Sequence, residues 1–200
     1  MLVNVLVIFF GIIISLFIFW KRLREDYSGE IIFNSIFIVF ISLFTAHLVS
    51  LRFFPVWFFW ADFLAVLIGL STSVYKNKIR FYESLEALVF SLTPLLSLSF
   101  LQDAVKNSSL FSFIAFTVIL LLIFVFYYID SHYKNFSWYL SGKIGLSGLS
   151  ILFLFFLIRA IIATFFPSVL SFSGKFDPLI SGLFSLGALG GILYLRTNEK

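Results

Sequence analysis

Residues 109–129 read SLFSFIAFTVILLLIFVFYYI, twenty-one positions without a single Asp, Glu, Lys or Arg. At 1.5 Å per residue such a run makes a helix about 30 Å long, the thickness of a bilayer's hydrocarbon core. It is too long for a strand and offers no polar face to water. Outward from it the same pattern recurs at 2–20, 31–50, 54–75, 83–101, 140–166 and 177–195, with short connections between. The expected fold is therefore all-α: a polytopic integral membrane bundle of about seven transmembrane helices, forming one domain over 1–200. The sixth segment is long enough to tilt, or to end in a re-entrant stretch before Pro167.

Composition agrees. Of 200 residues 61% are hydrophobic, 21% aromatic and 12% charged, with 30 Phe, one Met and no Cys; mean hydropathy is +1.09. A soluble domain is about 45–50% apolar and about 25% charged, and one of this length has no interior large enough for so many Phe, Leu and Ile. The absence of Cys excludes disulfides, thiolate nucleophiles and Cys-ligated metals. A net charge of +4 does not point to nucleic acid, because the basic residues sit in short clusters between apolar runs.

Those clusters set an orientation. Ten basic residues fall in loops on one side: Lys21, Arg22, Arg24, Lys76, Lys78, Arg80, Lys134, Lys143, Arg196 and Lys200. Three fall on the other, Arg52, Lys106 and Lys175, and Arg159 lies within a span. The positive-inside rule places the ten in the cytoplasm, hence the N-terminus outside, the C-terminus inside and an odd number of spans. The first segment has no basic n-region and no A-x-A-type site after it, so it is expected to be a retained helix rather than a signal peptide. Aromatics at segment ends, among them Trp20, Trp57, Trp60, Tyr75, Tyr139 and Tyr194, read as interfacial belts. Gly187 and Gly191 form a small-xxx-small pair expected to let two helices approach closely.

Ionisable groups inside spans are costly and mark functional candidates. His47 lies near the outer end of the second segment and Asp62 in the first third of the third. Arg159 stands sixteen residues beyond Lys143, about 24 Å along a helix, also in the outer half. The three form a candidate polar pocket for a lipid headgroup or other anion, with Arg159 as the phosphate-binding cation; the alternative is a structural Asp62–Arg159 ion pair, or separate snorkelling of the side chains to the interface. Glu83 and Glu86 are expected to meet the dipole at a helix start, and Asp130, His132 and Lys134 to be solvated. No metal set, cofactor motif, G-x-S-x-G, H-E-x-x-H, P-loop or G-x-G-x-x-G is present, so no cofactor is expected. Asn107-Ser108-Ser109 and Asn135-Phe136-Ser137 match glycosylation sequons.

The segment order resembles the bacterial prolipoprotein diacylglyceryl transferase family. Leu85-Glu86-Ala87-Leu88 is similar to the family's L-D-A-L-A-P stretch, Thr45-Ala46-His47-Leu48 stands where the family has G-A-R-L, and Ile158-Arg159-Ala160-Ile161-Ile162 resembles its F-R-x-x-x-E. The resemblance implies seven spans in the bacterial inner (cytoplasmic) membrane and transfer of diacylglyceryl from phosphatidylglycerol to a lipobox cysteine at the outer leaflet. Around Trp60-Ala61-Asp62 the family's H-G-G or Y-G-G-L-I-G is missing, around Phe100 its G-R-x-G-x-F, and H-P-x-Q-L-Y-E is absent. Such a transferase must activate a thiol and hold a phosphate leaving group; of these, the chain offers Arg159 for the phosphate. The implied protein is a diverged, transferase-like pseudoenzyme of lipoprotein biosynthesis that binds phospholipid or a lipoprotein-type partner. An active transferase with a rearranged site, a small transporter or channel, and a structural membrane-complex subunit are the other readings. Halves 1–100 and 101–200 share no evident repeat and the span centres are nearly charge-free, which speaks against the transporter.

Overall fold

Side chains that are apolar all round leave a backbone nothing to bond to in lipid, so each run closes its hydrogen bonds on itself as a helix. A computed structural model describes residues 2–139, 141–165 and 174–197, and their side chains except at 2–6 and 8. It contains seven α-helices: α1 (Leu2–Leu23), α2 (Gly29–Phe53), α3 (Phe58–Asn77), α4 (Phe81–Asn107), α5 (Leu110–His132), α6 (Leu146–Phe165) and α7 (Asp177–Thr197). The described residues include no strand. Helices α2 to α7 are each long and apolar enough to cross a membrane. The protein is an all-α, multi-pass membrane bundle.

Short joints force the helices to run up and down. A 3₁₀ turn at Pro55–Trp57 links α2 to α3, and residues 78–80 link α3 to α4. At Ser108 the chain turns through a left-handed residue (φ 48°) before Ser109 caps α5 by accepting from the Ser112 N–H at 3.3 Å. Side chains confirm the alternation. Arg22, Glu86, Asp130 and Gly145 meet at one end, and His47, Asp62, Trp60, Asp177 and Arg159 lie at the other. The first, which also carries most of the loop Lys and Arg, is called the basic end below, and the second the far end.

Helix α4 is the axis of the bundle, packed against α1, α3, α5 and α6, while α2 pairs with α3 and α6 with α7. Its first turns are buried on every side, with Glu83, Ser84, Leu85, Glu86, Ala87 and Leu88 all inaccessible. Close approach makes this possible. A Cβ on Gly148 would stand 2.7 Å from the Glu86 Cα, and one on Gly69 would stand 2.9 Å from the Val39 Cα, so α6 and α3 touch their neighbours through bare backbone. Of the expected small-residue pair, Gly191 backs onto Leu149 of α6 and Gly187 faces open space. Outward-facing Phe37, Ile68 and Phe124 are 63–70% exposed, a surface that suits acyl chains and not water.

Two expectations need correction. The sixth helix does not begin at 140. Gly142 and Gly145 take φ of +57° and +120°, and the Gly145 N–H is given to the Glu86 carboxylate at 2.8 Å, so helix starts at Leu146. From Leu146 to Phe165 the helix is continuous, so the alternative of a re-entrant stretch before Pro167 does not hold over those residues; residues 140, 166 and 167 lie outside the described residues. Trp60 and Tyr139 are not belt residues. They are 4% and 1% exposed: Trp60 donates to buried Asp177, and Tyr139 packs in the core while its hydroxyl donates to the Lys143 carbonyl of its own loop, whereas Tyr75, Trp57 and Tyr194 are exposed near helix ends as a belt requires.

Candidate functional site

The far end holds the three expected residues, and they fall into two separate pairs. His47 lies six residues from the end of α2 and Asp62 four residues into α3, and His47 Nδ1 is 2.8 Å from Asp62 Oδ2. Their side chains are 43% and 21% exposed. Asp62 Oδ1 is buried with no hydrogen-bond partner among the described residues. The Phe58 ring stands nearly perpendicular to the imidazole, with ring centres 6.3 Å apart.

Arg159 does not join them. Its Nη2 donates to Asp177 Oδ1 at 2.9 Å, and the two side chains are 4% and 0% exposed. Trp60 Nε1 donates to the same oxygen at 2.9 Å. The guanidinium carbon stands 3.7 Å from the Phe59 ring centre and 5.4 Å from that of Trp60. Phe156 and Phe184 stack on Trp60, at 6.0 and 5.5 Å between ring centres. An aromatic box thus encloses a buried ion pair joining α6 to α7, with α3 bolted on through Trp60. Depth placed Asp62 and Arg159 together, but direction around the helix separates them. Trp60 and Asp62 are two residues apart, about 200° around α3; Trp60 faces α6 and α7 while Asp62 faces α2. The expected Asp62–Arg159 pair is replaced by Asp177–Arg159.

Sequence reasoning passed over Asp177. Its signal was an acid opening the seventh segment, eighteen residues after Arg159, where a helical hairpin returns the chain to the same end.

The basic end carries a second polar cluster, which draws in Asp130, expected to be solvated, together with Glu86 at the start of α4. Arg22 at the end of α1 reaches Asp130 of α5, with Nη1 2.8 Å from Oδ2, while its Nη2 bonds both Asp130 Oδ1 and Glu86 Oε1. Glu86 Oε2 accepts from the Gly145 N–H. One guanidinium and two carboxylates thereby tie α1, α4, α5 and the entry to α6. Beside them, Tyr27 donates to Glu83 Oε2 at 2.8 Å and accepts from the Arg80 N–H at 3.0 Å, while Arg80 Nη1 donates to Glu83 Oε1 at 2.8 Å. Burial pushes the Tyr27 phenol, in the loop after α1, above its ordinary pKa.

No group of three or more His, Cys, Asp or Glu among the described residues is placed to hold a metal. Comparison of the chain with protein-family models, with characterised proteins and with solved structures finds no match.

Proposed function

We propose that the protein binds the headgroup of an anionic, phosphatidylglycerol-like phospholipid at the far end, between α2 and α3, as a diverged relative of the prolipoprotein diacylglyceryl transferases in a bacterial inner membrane. The observation that carries this reading is the His47–Asp62 pair, a half-exposed imidazole held by a carboxylate at the rim of a membrane-spanning bundle. A protonated imidazole attracts phosphate, and Asp62 fixes the ring by occupying Nδ1. The second Asp62 oxygen lacks a donor, a costly state for a buried acceptor; a glycerol hydroxyl would satisfy it. Phosphatidylglycerol offers a phosphate and hydroxyls together.

Arg159 takes a different part from the one its position suggested. Engaged with Asp177 and boxed by aromatics, it holds the wall of the site by keeping α6, α7 and α3 in register, and His47 supplies the headgroup contact. Among the described residues no Lys or Arg forms an ion pair with the dyad, and with none held there to stabilise a leaving phosphate the site favours binding over transfer.

The test is lipid retention by detergent-purified protein in native mass spectrometry, with phosphatidylglycerol and phosphatidylcholine in competition. Wild type is expected to retain phosphatidylglycerol preferentially, and His47→Ala to lose the preference while remaining folded by size exclusion. Retention by His47→Ala equal to wild type overturns the reading. Growth of a transferase-depleted strain on this chain would overturn the view that the site binds without transferring.

A further inference from the structure

The basic end contains an open cavity of about 410 Å³ where the C-terminal ends of α1 and α5 meet the start of α4. Its volume lies within the range of small-ligand sites, about 300–1,000 Å³. The charges deepest in it are already matched. Arg22 is shared by Glu86 and Asp130, and Glu83 takes Tyr27 and Arg80. They form a floor braced from four directions.

The rim differs. Lys21 and Lys134 supply two ammonium groups, and Glu25 and Asp26 two carboxylates. All four are exposed, and among the described residues no ion pair within 4.0 Å involves any of them. A plain anion would answer the lysines and be repelled by the carboxylates; a plain cation would do the reverse. A ligand carrying both charges answers both. A cavity at the helix ends of a spanning bundle also sits at headgroup level.

We propose that this cavity is a second site, independent of the far-end dyad, for a small zwitterion bearing a primary ammonium and a phosphate. Glu25 and Asp26 take the ammonium; Lys21 and Lys134 take the phosphate. Two sources share this chemistry: the headgroup of an ethanolamine phospholipid and a free aminoalkyl phosphate.

The experiment is calorimetric titration of detergent-purified, full-length protein with dihexanoyl phosphatidylethanolamine, dihexanoyl phosphatidylglycerol and O-phosphoethanolamine. In the His47→Ala background, where the far-end site is silent, the ethanolamine lipid is expected to bind at least tenfold more tightly than the glycerol lipid. Lys21→Glu with Lys134→Glu, and separately Glu25→Lys with Asp26→Lys, should each weaken it about tenfold or more; all four side chains are exposed, and size exclusion checks that each variant is folded. O-phosphoethanolamine binding as tightly as the lipid supports the zwitterion site with a soluble source, and binding of the lipid alone supports the headgroup. Equal affinity for the two lipids in the His47→Ala background, or loss on the lysine variant without loss on the acidic one, overturns the proposal. His47→Ala serves as the control that separates this site from the far-end one: its failure to bind phosphatidylglycerol leaves the ethanolamine titration unchanged.

Discussion

The two ends of the bundle solve the problem of burying charge in opposite ways. At the basic end one cation, Arg22, serves two carboxylates from different helices, and the cluster opens into a polar cavity. At the far end two carboxylates take one cationic or titratable partner each, Asp177 with Arg159 and Asp62 with His47, on opposite sides of α3. The first arrangement gathers helices around a point. The second divides labour, with a closed pair that fastens helices and an open pair that faces the membrane surface. Ionisable residues at one depth in a bundle are therefore not necessarily one site; the helix between them decides.

The sharpest way to break this contrast is Glu86→Ala. Glu86 is 2% exposed, and removing it leaves Arg22 partly uncompensated and the Gly145 N–H without its acceptor. The expected loss is about 3–5 kcal/mol, read as a fall in the thermal unfolding midpoint in detergent. Arg22→Met with Glu86→Leu should recover part of it, since a charge-free pair avoids desolvating ions.

Next comes Asp177→Asn, which keeps an acceptor for Trp60 but discards the charge facing Arg159. About 2 kcal/mol of destabilisation is expected. A shift within error would remove Arg159–Asp177 as the fastening of the far end. His47→Ala should then separate the two far-end pairs: its pair is exposed enough that stability changes by less than about 1 kcal/mol, although headgroup retention collapses.

The smallest effect belongs to Tyr27→Phe at the basic end. The fold raises the Tyr27 pKa, so the neutral phenol is the stabilising form. That contribution is complete below the unfolded value near pH 10 and is lost as pH rises through the raised folded value. Tyr27→Phe should therefore flatten the alkaline decline of the melting midpoint while leaving its neutral-pH shape unchanged.

The helices were legible because a spanning run is a one-dimensional signal, and residues 109–129 carry it without ambiguity. Their faces were not. In a helix apolar all round, periodicity gives no direction, so nothing in the sequence told that Trp60 turns inward or that α4 lies at the centre. His47, Asp62 and Arg159 were correctly placed toward one end, since depth follows from counting residues. Their partners depend on rotation about each axis, and rotation is set by close approaches such as Gly69 on Val39 and Gly148 on Glu86. Arg22 and Asp130 were hidden for another reason: basic residues beside a span are read as orientation signals and acids beside them as solvated, so a buried cluster built from both looks like ordinary loop charge.

The contrast between the ends rests on their lying on opposite faces of one membrane, and the absence of Cys makes that directly measurable. Single cysteines at 24, 78, 106 and 175, each an exposed position, can be labelled in intact cells with an impermeant maleimide. Labelling of 106 and 175 from outside, with 24 and 78 reached after permeabilisation, is the result expected. Equal labelling of all four from outside would contradict it.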